Sequence, residues 1–385
     1  MLLVSEPEIL SEEFGEAKKW WEQSGSFFIE YYLHFSQEMA IFLDPSERQQ
    51  LAQNYDTNEE FMEQKGLNNL KEELENLMQA IDDAYSVNYW AGVYNLTINL
   101  ASFFSIGSYW KEWHQRHELA LEAAYKAGDK LAEAWICNNL GAVYRLFGRR
   151  DKAIEMCGRS QYLFQELGQQ GRKGEATALN TLGNVYRAKG WWTEAIKAFE
   201  KSISIFRELQ DPFGEAKALD GLGHAYALQN SLELAEEILK ESLRIKQEVG
   251  ASLFEVSKTY NNLGKVYAKL LRLSEAEELF RKSLSIKREI GDRQGEGVSL
   301  HELGEIYRLQ SCWEQAQKMY ANSIEVKEQI ADYNGQGLTL IAISNLHLNR
   351  DDQEEAIEAR KQALATLHRD SPSYKQVAEW LQSIS

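Results

Sequence analysis

Proline and cysteine are scarce in this chain of 385 residues, which holds four prolines (Pro7, Pro45, Pro212, Pro372) and three cysteines (Cys137, Cys157, Cys312). Without a proline-rich linker to divide it, the chain reads as one continuous helical body. The cysteines are widely spaced and form no Cys-x-x-Cys pair, so no disulfide framework is expected and each reads as a small apolar helix residue. No apolar run approaches the length of a membrane span. No basic segment followed by an apolar core opens the chain, so no leader peptide is read there and a cytoplasmic protein is expected. Basic charge is also short: 42 Lys and Arg face 59 Asp and Glu, and the net charge of −17 argues against nucleic acid as the main partner. The deficit is uneven. Residues 1–75 hold 17 acidic and 5 basic residues, against 42 and 37 in the remainder.

What the chain has in quantity is one repeated unit. Hydrophobic residues at 44% and aromatics at 11% exclude a disordered chain. From Gly174 to Leu209 two amphipathic helices meet at Lys189-Gly190-Trp191. Ala176, Leu179, Leu182, Gly183 and Tyr186 share one stripe of the first, and Ala195, Ile196, Phe199, Ile203 and Phe206 one stripe of the second. Neither helix can bury its stripe alone. The Leu-Gly-x-x-Tyr core of the first helix recurs at Leu140-Gly141…Tyr144, Leu182-Gly183…Tyr186, Leu222-Gly223…Tyr226, Leu263-Gly264…Tyr267 and Leu303-Gly304…Tyr307, with a decayed copy at Ile343-Ser344…His347. The steps between these glycine positions are 42, 40, 41, 40 and 40, the mark of a solenoid. Ala153, Ala195, Ala235, Ala276, Ala316 and Ala356 mark the second helices. A mid-helix glycine costs about 1 kcal/mol relative to alanine, so each repeat glycine is expected where another helix crosses closely, with the tyrosine filling the space beside it.

This pattern resembles the tetratricopeptide (TPR) repeat, whose signature joins Leu-Gly-x-x-Tyr to Ala-x-x-x-Phe; Ala195…Phe199, Ala276…Phe280 and Ala316…Tyr320 match the second half. The period exceeds the family's roughly 34 residues, and in place of the family's closing proline stand turns such as Gly291-Asp292-Arg293-Gln294-Gly295-Glu296. The long-period form is similar to repeats in bacterial signalling proteins and in peptide-binding polarity adaptors. Over about residues 90–370 the resemblance implies an all-α, TPR-type superhelix with a concave groove. Such a groove binds a protein or an extended peptide, without a cofactor, a metal or catalysis, as scaffold, adaptor or regulatory sensor. Glu75-Asn76-Leu77…Ala80…Ala84 followed by Gly107-x-x-Trp110-x-Glu112 resembles the sensor region of STAND-type regulatory ATPases. No GxxxxGK[ST] loop accompanies it. A helical bundle ahead of a TPR array also resembles the Rap-type peptide-pheromone regulators, the alternative reading; an enzyme acting in the bundle or groove is a third.

Four regions are expected. Residues 1–66 are acidic and rich in aromatics; Glu12 to Phe42 reads as helical, divisible at Gly25, and Asp44 reads as the N-cap of a further helix opened by Pro45. They form a bundle or an irregular cap. Residues 67–127 read as degenerate leading repeats, with a stripe of Leu70, Leu74, Leu77, Met78 and Ile81 and further segments from Asn95 to Gly107 and Tyr109 to Ala127. Six repeats fill 128–370. A last helix at 371–385, capped by Ser371, seals the array with Val377, Trp380, Leu381 and Ile384.

In TPR proteins the first helices line the groove. Carried over position by position, the resemblance assigns to it Asn138, Arg145, Asn180, Asn184, Arg187, Lys217, Asp220, His224, Lys258, Asn261, Lys265, His301, Glu305 and Arg308. The row Asn138, Asn180, Asp220, Asn261 and His301 offers donors and acceptors suited to the main chain of an extended peptide; the alternative is a row of solvated helix positions. Asn180, Asn184 and Asn261 are expected to be exposed. Asp220 and Glu305 interrupt the basic positions that a carboxylate-clamp TPR needs. His114 and His117 stand three apart with no further ligand motif, which favours structural histidines over a metal pair. The acidic segment 1–75 either folds back on the basic groove residues or simply caps the first repeat.

Overall fold

A computed structural model describes residues 25–43, 59–107, 109–367, 369 and 372–384. The part of the Glu12 to Phe42 reading that precedes Gly25, the Asp44-Pro45 turn and the Ser371 cap lie outside those residues, as does most of the acidic segment. Among the described residues the chain is all-α, with nineteen α-helices and no strand, paired as antiparallel hairpins in sequence order. They fall into two compact units: Met1–Ser105 with Tyr109–Gly221, and Ile106–Ser108 with Leu222–Ser385.

Unit one begins with α1 (Gly25–Leu43), α2 (Glu59–Glu72), α3 (Leu74–Ser86), α4 (Trp90–Asn99) and α5 (Ala101–Ile106). The stretch read as one segment from Asn95 to Gly107 is thus two helices, broken at Leu100. The adjacent aromatics of α1 cover more than one face, and the helix packs against α2, α3 and α4, burying Tyr31, Tyr32 and Phe35. Tyr32 donates to Glu73 at 2.7 Å, and Asn99 to Ser36 at 3.1 Å. Then come α6 (Trp110–Ala127), α7 (Lys130–Leu146), α8 (Arg150–Glu166), α9 (Arg172–Lys189) and α10 (Trp192–Glu208). The division between the units falls inside α11 (Pro212–Leu228). Unit two continues with α12 (Leu232–Glu248), α13 (Leu253–Lys269), α14 (Leu273–Glu289), α15 (Arg293–Leu309), α16 (Trp313–Gln329), α17 (Tyr333–Leu348), α18 (Gln353–Thr366) and α19 (Pro372–Ser383). Val377 of α19 is buried with Leu340, Ala363 and Leu367, and the Arg360 guanidinium lies 3.7 Å from the Trp380 ring centre. Ile384, read as part of that stripe, is exposed.

Left-handed residues set the helix lengths. Within hairpins these are Gly148, Gly190, Asn230, Leu271, Ser311 and Asp351; between hairpins they are Gly128, Gly168, Gln210, Gly250, Gly291 and Ala331. Gly190, for example, returns its N–H to the Arg187 carbonyl and so ends α9. After the second kind, Gly168 excepted, a short polar side chain caps the next helix: Asp129 accepts from Ala132, Asp211 from Gly214, Ser252 from Glu255, Asp292 from Gly295 and Asp332 from Gly335. The Gly-Asp turns therefore stop one helix and start another.

The repeat glycines sit at close helix crossings. A Cβ on Gly141 would lie 2.3 Å from the Cys157 sulphur, one on Gly183 2.7 Å from the Phe199 ring, and one on Gly223 2.6 Å from Leu239. On Gly264 it would lie 2.8 Å from the Phe280 ring, and on Gly304 2.4 Å from that of Tyr320. In each hairpin the intruding side chain stands four residues after the marker alanine, and Ala153, Ala195, Ala235, Ala276 and Ala316 have no exposed surface. Tyr144, Tyr267 and Tyr307 are buried beside the crossings; Tyr186 and Tyr226 are half-buried.

Candidate functional site

The fourteen assigned residues divide between the units, seven in each. In unit one the first helices α7 and α9 touch directly. Asn138 and Arg145, seven apart on α7, share a stripe, and Asn180 and Arg187 repeat that spacing on α9. Asn138 is buried rather than solvated; its amide reaches Asn139 at 3.4 Å, while its Oδ1 receives no donor. The Oδ1 of half-buried Asn180 likewise receives none. Asn184 donates to the Asn180 carbonyl at 3.0 Å and accepts from Arg187 Nη2 at 3.0 Å. Burial pushes the Arg187 pKa down to about 10; the charge of Arg145 adds to that, and Asp220 opposes it. Burial lowers Arg145 too. Lys217 lies with its ammonium 5.4 Å from the Phe213 ring centre, and Asp220 is buried.

In unit two the charged residues already answer one another. Lys258 bonds Glu255 at 3.1 Å, Lys265 pairs with Glu302 at 3.0 Å, and Arg308 pairs with Glu305 at 2.8 Å. Glu305 also accepts from Tyr320 at 2.5 Å. Asn261, expected on the surface, is 6% exposed and accepts from Ser299. His301 Nδ1 meets Thr339 at 3.2 Å, and burial lowers the pKa of its ring. His224 is half-buried on α11.

His114 and His117 turn to different neighbours. His117 is fully buried, with Nδ1 donating to the Trp113 carbonyl at 2.9 Å and Nε2 accepting from Asn139 at 3.2 Å. Burial pushes its pKa down to about 3, so the ring stays neutral. His114 Nε2 instead lies 3.2 Å from a carboxylate oxygen of Glu118. Among the described residues no three His, Cys, Asp or Glu side chains converge as a metal site would need, and no helix is long and apolar enough to cross a membrane. The buried thiols of Cys137 and Cys157 are both pushed up to about 12 by burial, which leaves them unreactive at neutral pH.

Sequence reasoning missed two ladders that join neighbouring helices. Ser160, Ser202, Ser283 and Ser323 each donate to a carbonyl 26 residues earlier, on Ala134, Ala176, Ser257 and Gly297. Four residues after these serines, and after the equivalent buried Ser242, stand Phe164, Phe206, Lys246, Lys287 and Lys327, all buried. The lysines bond Thr259 at 2.9 Å, Ser299 at 2.9 Å and Thr339 at 2.7 Å. The recurrence of Ser-x-x-x-Phe and Ser-x-x-x-Lys at the repeat period was the available signal.

The tetratricopeptide-repeat family model matches residues 174–248, 255–311 and 296–367. No curated protein is similar enough in sequence to be matched. Among solved structures, a Rap protein complexed with Competence and Sporulation Factor is similar at 11% identity, with a TM-score of 0.60, over 93% of this chain and 99% of that one. Aspartyl phosphate phosphatase F from Bacillus subtilis is similar at 14% identity, with a TM-score of 0.56, over 91% and 95%. A STAND protein with a tetratricopeptide repeat sensor from Pyrococcus horikoshii is similar at 15% identity, with a TM-score of 0.53, over 93% of this chain and 55% of that one. At these identities the likeness is one of fold.

Proposed function

We propose that this chain, a tetratricopeptide-repeat protein across residues 174–367, is a non-enzymatic cytoplasmic regulator or scaffold that binds a protein or extended peptide along its first helices. The observation that carries the reading is the pair of buried amide oxygens on Asn138 and Asn180, set at one repeat position on adjacent helices and lacking donors. A main-chain N–H satisfies such an acceptor whatever the ligand's side chains are, and burial makes the unmet acceptor costly. The Rap conjugation gene regulator of the plasmid pLS20, similar in fold at 13% identity with a TM-score of 0.54, was solved in complex with the Phr* peptide, which supports a polypeptide as the class of partner. One similar fold is named a phosphatase, so the test includes that activity.

The experiment is selection of random peptides, and capture from native extract, on the full chain and on the Asn138→Ala/Asn180→Ala variant. Wild type is expected to retain a polypeptide that the variant releases at unchanged helical circular dichroism. Equal retention would move the site off α7 and α9. Turnover of an aspartyl phosphate substrate by the purified chain would overturn the non-enzymatic reading.

A further inference from the structure

One edge of unit one combines exposed rings with unpaired positive charge. The His114 ring centre lies 5.5 Å from that of Phe147, which sets the start of α6 beside the α7–α8 turn. Lys189 bonds Asp151 at 2.7 Å, which sets the α9–α10 turn beside the start of α8. On these two neighbouring turns Phe147, Trp191 and Trp192 are exposed. Trp191 is braced there: it stacks on Tyr186 with 5.8 Å between ring centres, and the Lys189 ammonium lies 3.9 Å from the Trp191 ring centre. Arg149 and Arg150 follow Phe147 closely and enter no ion pair among the described residues. Unit two shows the contrasting case on its α13–α14 turn, where Glu236 and Glu275 both hold Arg272. The net charge of the chain is −17, yet residues 110–208, from α6 to the end of α10, hold 16 basic and 12 acidic residues, or +4.

Aromatic rings on turn apices, flanked by free arginines, have the composition of an interfacial membrane anchor. Such rings settle at headgroup level, and each free cation draws the edge toward anionic lipid. A protein partner would have to enclose each anchoring ring in a pocket, whereas a bilayer takes all three at one depth. We propose that this edge of unit one docks on an anionic phospholipid bilayer, with Phe147, Trp191 and Trp192 among the headgroups and Arg149 and Arg150 against lipid phosphates. The docking is peripheral, since among the described residues no helix is long and apolar enough to cross a membrane. None of these five residues belongs to the first-helix row, so the inference stands or falls separately from the polypeptide-binding reading.

The test is flotation of the full chain with phosphatidylglycerol vesicles and with neutral phosphatidylcholine vesicles, at low and high salt. The wild type is expected to float with the anionic vesicles alone and to be released by salt. Arg149→Gln/Arg150→Gln should weaken that binding by on the order of ten- to thirtyfold, and Trp191→Ala/Trp192→Ala should also lower it. Tyr125→Ala removes an equally exposed ring at the far end of α6 and should float like the wild type. Circular dichroism checks that each variant is folded. The arginine pair packs on nothing described and keeps the test decisive if the tryptophan variant unfolds. No flotation with phosphatidylglycerol, equal flotation with both lipids, or flotation that neither double variant weakens would each overturn the docking edge. Binding of polyglutamate through Arg149 and Arg150 without vesicle flotation would overturn it too, by assigning the edge to an acidic polypeptide.

Discussion

The two units solve one packing problem with opposite chemistry. Four residues after the ladder serine, unit one places Phe164 and Phe206, and unit two Lys246, Lys287 and Lys327. The facing positions change with it. Phe164 clusters with Ala178, and a Cβ on Gly174 or Gly214 would lie within about 2.3 Å of a phenyl ring. Where lysine replaces phenylalanine, Thr259, Ser299 or Thr339 stands where unit one has Ala178 or Ala218. A buried ammonium is tolerable only with acceptors around it, and the lysine stem covers the apolar surface that phenyl covers elsewhere. A repeat position therefore specifies a volume and a bonding balance, not a residue type.

The largest effect is expected from exchanging the two solutions. Phe206→Lys buries a charge opposite Ala218, which offers no hydroxyl, and should cost about 3–5 kcal/mol in denaturant unfolding. A loss below 1 kcal/mol would show that the two positions are not distinguished as argued. What the units share can be tested through the crossings: Gly183→Leu and Gly264→Leu meet phenyl rings at 2.7 and 2.8 Å and should each cost about 1–3 kcal/mol or more by overpacking. Unequal losses would separate crossings that the geometry makes equivalent.

Burial pushes the pKa values of Lys287 and Lys327 down to about 8, from an ordinary 10.5. Between those values the unfolded chain holds more protons, so stability should rise with pH from about 8, by on the order of 1–2 kcal/mol per lysine near pH 9.5. Above pH 10 the buried tyrosines reverse the trend, since burial and neighbouring carboxylates raise Tyr32 and Tyr320. Lys287→Met/Lys327→Met should flatten the rise; a wild-type chain whose melting temperature does not climb from pH 8 to 9.5 contradicts the buried charge. The smallest effect concerns Leu271, which holds φ 59° with 75% of its surface exposed, where the same turn of unit one has Gly148 and Gly190. Leu271→Gly should raise stability by about 0.5–1 kcal/mol, since relief of the left-handed strain outweighs the greater freedom of the unfolded chain. A lower melting point would mean that the leucine packs in a way its exposure hides.

The repeat was legible because its determinants are local. Glycine at a crossing, alanine opposite, a left-handed residue followed by a capping aspartate and an apolar stripe are each written within one hairpin, at a fixed step. Tertiary structure alone decided the fate of the polar residues. Asn261 and Lys265 share a helix face with Arg145 and Arg187 in the pattern, yet Ser299 and Glu302, about 40 residues further on, satisfy the first two. The Arg145 guanidinium meets no such partner among the described residues. A hydrogen bond between neighbouring repeats depends on which side chain arrives from the next helix, and periodicity in a single stripe carries no record of that.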